Sequence, residues 1–249
     1  MKRQQYILRI FCILLALVFI TGLKAQKPVQ YEQQTWVGYN INYKLHPRWG
    51  AWLDGEVHTK DHFFNEYSQF TLRFAGTYFL KNKNRFTAGY GFTDFFPGDN
   101  HKQIAIPEHF LWQQFQFFMN TSKHKLMNWV RVEEKWKADV LNDSTTTGSF
   151  TNYYKLRYNV FYQLPLSRDG FAAKTLSLAL GDEVYLYYGP TLSNHVFDQN
   201  RLFLGFSYAV NKHDNLVFGY LNIMQQNQAG TQYKNSSIFK ATMFMNFGF

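Results

Sequence analysis

Along most of this chain apolar side chains fall on every second residue, with polar, charged or small ones between them. Tyr154, Leu156, Tyr158, Val160 and Tyr162 alternate with Lys155, Arg157, Asn159 and Gln163, with Phe161 the exception. Leu202, Leu204, Phe206, Tyr208 and Val210 alternate with Arg201, Gly205, Ser207 and Ala209. Leu176, Leu178 and Leu180 do so with Ser177, Ala179 and Gly181, and Val37, Tyr39, Ile41 and Tyr43 with Gly38, Asn40 and Asn42. Successive side chains of a β-strand point to opposite faces, so each set predicts a strand with one apolar and one polar-or-small face.

The pattern predicts eleven strands, near 34–45, 48–58, 67–80, 85–96, 108–119, 126–137, 150–164, 174–187, 199–210, 215–225 and 237–249. Short connections at His46-Pro47, Lys81 to Asn84, Thr121 to Lys125 and Asn211 to Asn215 alternate with longer ones. The longer ones are Thr59 to Glu66, Pro97 to Pro107, Ala138 to Ser149, Gly189 to Asp198 and Asn227 to Ser236. Pro165 to Ala173 is intermediate and takes a short turn's place in the series. Segments of about ten alternating residues with this loop rhythm are the signature of a transmembrane antiparallel up-and-down β-barrel, an all-β fold. Single-chain bacterial barrels have even strand numbers, so about twelve strands are expected, or else ten. A twelfth strand would have to lie in Lys27 to Gln34.

The last strand carries the sharpest local signal. Phe239, Ala241, Met243, Met245, Phe247 and Phe249 hold alternate positions up to the final residue. This resembles the terminal strand by which the barrel-assembly machinery recognises its clients, with Phe239, Met243, Met245, Phe247 and Phe249 as the assembly signal. That machinery and outer-membrane lipids are the expected partners.

Composition supports a membrane barrel. Aromatic residues make up 20% of the chain, yet its mean hydropathy is only −0.36. A barrel reconciles the two, because only alternate residues face lipid. The start reads as a signal peptide over residues 1–25. Lys2, Arg3 and Arg9 form a basic region, Ile10 to Ile20 an apolar one, and Leu23-Lys24-Ala25 a small-residue cleavage site. The apolar run falls short of the roughly 20 residues a spanning helix needs. Cys12 begins the apolar region, too early for a lipoprotein cysteine. Cleavage after Ala25 leaves one barrel domain, 26–249, without cysteine, which excludes disulfides and thiolate chemistry. It also removes four basic residues and no acid, lowering the net charge from +9 to +5, too weakly basic to argue for nucleic acid. Outer-membrane localisation follows.

Glu56, Arg73, Glu108, Arg131, Glu133, Arg157, Glu183 and Arg201 fall on the faces opposite the apolar ones, so they are expected inside the barrel. Small barrels are filled by their own side chains, and buried charges must pair. A structural Arg–Glu network is the plain reading, and a pore lining or ligand-binding floor the functional one. Arg157 and Arg201 are expected to share Glu183. The histidines fall mostly in turns and show no metal-ligand spacing beyond His58 near His62, so no metal or cofactor is expected. No G-x-S-x-G elbow occurs, and Ser193 and His195 share a loop rather than adjacent strand ends. The chain is therefore expected not to be an enzyme, with a lipid-modifying outer-membrane hydrolase as the alternative. Trp36, Trp49, Trp52, Phe95, Phe96, Trp129 and Trp136 lie near strand ends and are expected in the aromatic girdles of the two membrane interfaces.

Trp36 to Trp49 (WVGYNINYKLHPRW), Pro107 to Gln114 (PEHFLWQQ), Arg131 to Glu134 (RVEE) and Asn200 to Tyr220 (NRLFLGFSYAVNKHDNLVFGY) resemble domain of unknown function 2490. The resemblance spans nearly all of residues 26–249 and implies an outer-membrane barrel with a signal peptide, but no activity. That family often has Arg where this chain has Phe110 and Lys135, both on the expected lumen face. The expected role is a narrow channel or a structural or binding component with a charged lumen, its ligand unknown.

Overall fold

The computed structural model describes residues 27–60, 62–81, 83–100, 102–189, 195–227 and 229–249. The signal-peptide reading of 1–25 and the candidate Ser193 lie outside the described residues. The eleven strands are β1 (Val29–Lys44), β2 (Trp49–Lys60), β3 (Glu66–Phe79), β4 (Arg85–Phe95), β5 (Ile106–Asn120), β6 (Lys125–Val140), β7 (Thr146–Pro165), β8 (Leu176–Tyr188), β9 (Phe197–Ala209), β10 (Asn215–Gln226) and β11 (Tyr233–Phe247). Each pairs antiparallel with its sequence neighbours, and β1 pairs with β11 to close the barrel.

That closure departs from the even count. Eleven up-and-down strands leave the first and last pointing the same way, so β1 and β11 pair in parallel, from Val29 opposite Tyr233 to Tyr43 opposite Phe247. The segment in which a twelfth strand was expected continues β1 to Val29 without a turn. Parallel ladders use every backbone donor and acceptor along the seam, so no open edge remains.

The barrel has two distinct ends. The connections 45–48, 80–84, 121–124, 166–175 and 210–214 share one end, called here the turn end. The other, the loop end, carries 61–65, 96–105, 141–145, 189–196 and 227–232. These loops are shorter than expected because the strands run on into them. β7 is 20 residues long, and its exposed start, Thr146 to Thr151, projects with the end of β6 past the rest of the loop end. Three bulges, at His58/Thr59, Ala138/Val140 and Tyr185/Leu186, sit near this rim, where bulges re-aim side chains.

Burial is inverted relative to a water-soluble fold. Val37, Leu202, Leu204, Phe239 and Phe247 are exposed on the outside, whereas Glu108, Glu133 and Asp198 are buried within. The assembly-signal positions Phe239, Met243, Met245 and Phe247 share the outer face of β11, and the ring of Phe249 packs edge-on against Phe79 at 5.6 Å.

From mid-barrel towards the turn end the lumen is filled. On one side Ala179, Phe203, Val217, Leu221 and Ile238 form a buried apolar plug against which Phe161 and Phe244 pack. Gly181 makes room for this plug, since a Cβ there would stand 3.0 Å from the Phe161 ring. On the other side Trp52 and Trp112 meet edge-to-face at 4.7 Å, and the Arg131 guanidinium lies 4.4 Å from Trp112 and 4.9 Å from Trp129. Beneath them Arg85 donates to Gln116 at 2.5 Å and to Asn42 at 3.2 Å, and Asn42 and Trp52 both donate to Asn40. Trp36, Trp52, Phe95 and Trp129 are thus not girdle residues. They lie on lumen-facing positions of their strands, so proximity to a strand end was the wrong cue and phase along the strand the right one.

Candidate functional site

All eight expected lumen charges turn inwards, and four of them meet at mid-barrel. Arg157, on β7, donates to Glu183 on β8 through Nε at 2.8 Å and places Nη2 2.6 Å from the same oxygen. Its Nη1 donates to Glu133 on β6 at 2.5 Å. Arg131 approaches Glu133 at 3.6 Å and donates to Gln114 at 2.9 Å. Antiparallel neighbours bring such inward pairs within reach, which is why alternate charges on adjacent strands converge into one lattice.

Three of the other four attach to partners that charge alternation could also have found. Arg73 lies 2.6 Å from Asp54, which is in phase with Glu56. Glu56 meets Lys240 at 2.7 Å and His58 at 2.9 Å. His58 is therefore a buried lumen residue, stacked on Trp36 at 3.8 Å. Glu108 meets Lys135 at 2.7 Å and accepts a hydrogen bond from the Tyr153 hydroxyl. Lys155 and Asp198 form a further pair at 2.6 Å, with Asp198 on β9 rather than in the expected loop 189–198.

Arg201 breaks the expected pattern. It is the ladder partner of Glu183. Arg157 holds that carboxylate, however, and no carboxylate pairs with Arg201 among the described residues. Its guanidinium instead lies over Tyr185 at 4.4 Å and Trp36 at 5.0 Å, with Nε donating to Gln199 at 3.3 Å. Planar guanidinium stacks well on aromatic faces, so the cation is held without an acid.

Above this charged floor opens a cavity of about 430 Å³ that reaches the loop end. Glu56, Arg73, Glu133, Arg157 and Arg201 form its base, and Phe95, Tyr153, Tyr187, Gln226 and Tyr233 rise around it. Among the described residues, seven Lys and Arg line it against three carboxylates, and Asp54, Glu183 and Asp198, which pair with three of those cations, are not part of the lining. Such a concave, partly aromatic site with a few convergent polar groups has the form of a small-molecule site.

The carboxylates that line this cavity, Glu56, Glu108 and Glu133, are each tied to a cation, and no group of three His, Cys, Asp or Glu among the described residues could hold a metal. Both ring nitrogens of His195 sit at backbone carbonyls, of Phe197 at 2.6 Å and Asn227 at 2.8 Å.

Residues 33–234 match the family described as Protein of unknown function (DUF2490). The chain belongs to that family. Comparisons with curated proteins and with solved structures return no match. In this DUF2490 protein, packing accounts for the residues at the two lumen positions, 110 and 135, where the resemblance led to an expectation of Arg. Lys135 joins Glu108 to Glu133, at 2.7 and 3.6 Å, and so keeps the cationic link. Phe110 gives up a charge and lies against Gly91, while Lys135 caps its ring at 4.4 Å.

Proposed function

We propose that this protein is an outer-membrane barrel that does not conduct, and that its loop end presents a binding vestibule to the outside. The observation that carries this reading is the filled lumen beneath the vestibule. The apolar plug and the Trp–Arg131 box occupy the barrel from the charged floor towards the turn end. A narrow channel would need a continuous polar path past Phe203, Leu221 and Ile238, which are almost wholly buried.

Placement in the outer membrane is supported by the inverted burial, the alternating terminal strand and the signal-peptide pattern of residues 1–25. The polar β6–β7 hairpin projects from the loop end as outer loops do, so the turn end faces the periplasm. Lipids of that membrane contact the apolar outer face, and the barrel-assembly machinery engages β11 during insertion.

Reconstitution of the purified protein in planar bilayers tests the reading. The expected result is electrical silence, and stable single-channel steps would overturn it. Fractionated cells should hold the protein in the outer membrane, with a band that shifts when unheated. A soluble periplasmic band with no such shift would overturn the placement.

A further inference from the structure

We propose that the vestibule takes a small organic oxyanion, a carboxylate or phosphate ester carried on a sugar-sized body, with Arg201 and Tyr185 as its anchoring pair. This rests on reading the vestibule as a binding site.

Two independent features of the floor point to such a ligand. Arg201 is a lumen cation with no carboxylate partner among the described residues, in a barrel where the other mid-lumen cations are paired. It is held between Tyr185 and Trp36, at 4.4 and 5.0 Å from their ring centres, and a guanidinium so held carries the paired N–H donors that match carboxylate or phosphate oxygens. The second feature is Tyr185. It is only 3% exposed, it lines the cavity, and its hydroxyl has no hydrogen-bond partner in the protein among the described residues. A buried hydroxyl left unmatched is costly, so a ligand oxygen that accepts from it is favoured over one that cannot.

The surrounding charges keep other groups from taking this role. Glu183 is held by Arg157, Glu56 by Lys240 and His58, and Asp198 by Lys155. An anion reaching the floor therefore finds in Arg201 a cation that no carboxylate holds among the described residues, with Tyr185 packed against it, under a wall richer in cations than acids. A cationic ligand would meet the same wall as a like charge. The volume, about 430 Å³, suits one sugar or a sugar acid, and Tyr153, Tyr187 and Phe95 offer faces for its ring.

Calorimetric titration of the folded protein in detergent, with glucose 6-phosphate, glucuronate and glucose as probes, tests the proposal. Saturable binding of one or both anions, with glucose at least about tenfold weaker, is expected, since a charge-assisted pair contributes about 1.5–3 kcal/mol and 1.4 kcal/mol is tenfold. Which anion binds tighter separates phosphate from carboxylate recognition. Arg201→Gln should weaken the preferred anion about tenfold or more. Tyr185→Phe, which removes only the hydroxyl, should weaken it several-fold while keeping the unheated band shift of the folded barrel. Glucose binding as tightly as the anions, or anion affinity unchanged in both variants, would overturn the proposal. So would no binding by any probe, and in that case silence in planar bilayers would leave the closed-vestibule reading standing. Channel steps in the same preparation would remove that reading itself.

Discussion

Glu183 and Arg201 stand opposite each other in the β8–β9 ladder, yet their charged groups do not pair. The carboxylate turns along the sheet to Arg157, at 2.6 and 2.8 Å, and the guanidinium turns to the rings of Tyr185 and Trp36. The exchange gives Arg157 two carboxylates, Glu133 and Glu183, and gives Arg201 none.

Glu183→Gln should therefore destabilise the barrel by about 3 kcal/mol. Removing one partner of a buried pair costs about 3–5 kcal/mol, and the retained Glu133 contact holds the loss to the low end. The comparison is urea unfolding of both proteins in the same lipid vesicles, read by the unheated band shift. A loss under about 1 kcal/mol would mean that water screens the floor, as it does for surface pairs.

Strand phase was legible in the sequence almost residue by residue, because one wrong phase would put Arg157 or Glu133 outside and Leu156 or Val132 inside. The eleven strands were countable too. The closed barrel comes within one strand of the expected twelve, and nothing local in Val29 to Gln34 says whether closure is parallel or antiparallel. The charged lattice was half legible. Inward direction follows from alternation, but partner choice follows from rotamers and strand stagger, so Arg157–Glu183 was foreseeable and the turn of Arg201 onto Trp36 was not. The charged floor of the vestibule was legible as a set of inward residues, but the cavity above it was not, because its lining joins residues from all eleven strands.

Gly91→Ala should destabilise the protein by about 1–3 kcal/mol, the usual cost of overpacking. A Cβ at Gly91 would stand 2.1 Å from the edge of the Phe110 ring, so the ring must leave its place under Lys135. Phe110→Leu in the same chain should recover part of the loss. A double-mutant cycle measures that recovery, and strictly additive effects would contradict the packing of Phe110 on Gly91.

Phe249→Ala should affect assembly more than stability. Phe249 is 49% exposed, and among the described residues its ring meets the edge of Phe79 and, at 5.7 Å, the ammonium of Lys44. Little apolar area is lost, so unfolding of the inserted protein should shift by less than about 1 kcal/mol, as for other surface changes. If the terminal Phe is read by the assembly machinery, the outer-membrane yield in cells should fall several-fold. An unchanged yield would remove Phe249 from the assembly signal.

The parallel seam makes a prediction about the two ends of the barrel. β1 and β11 run side by side in the same direction over Val29–Tyr43 and Tyr233–Phe247. The chain therefore enters the barrel at the loop end and leaves it at the turn end, whereas an even-stranded barrel would have both ends on one side. With the loop end outside, a protease site placed just before Val29 should lie at the cell surface and one placed after Phe249 in the periplasm. Protease added to intact cells should cut the first site, and also a control site within 141–145 at the tip of the β6–β7 hairpin. It should spare the second site and a control within 166–175, and cut both once the outer membrane is permeabilised. Cleavage of the 141–145 site with protection of the site before Val29 would mean that β1 and β11 do not close in parallel in the membrane. Cleavage of the 166–175 site in intact cells would mean instead that the barrel is inverted, which would also turn the vestibule towards the periplasm.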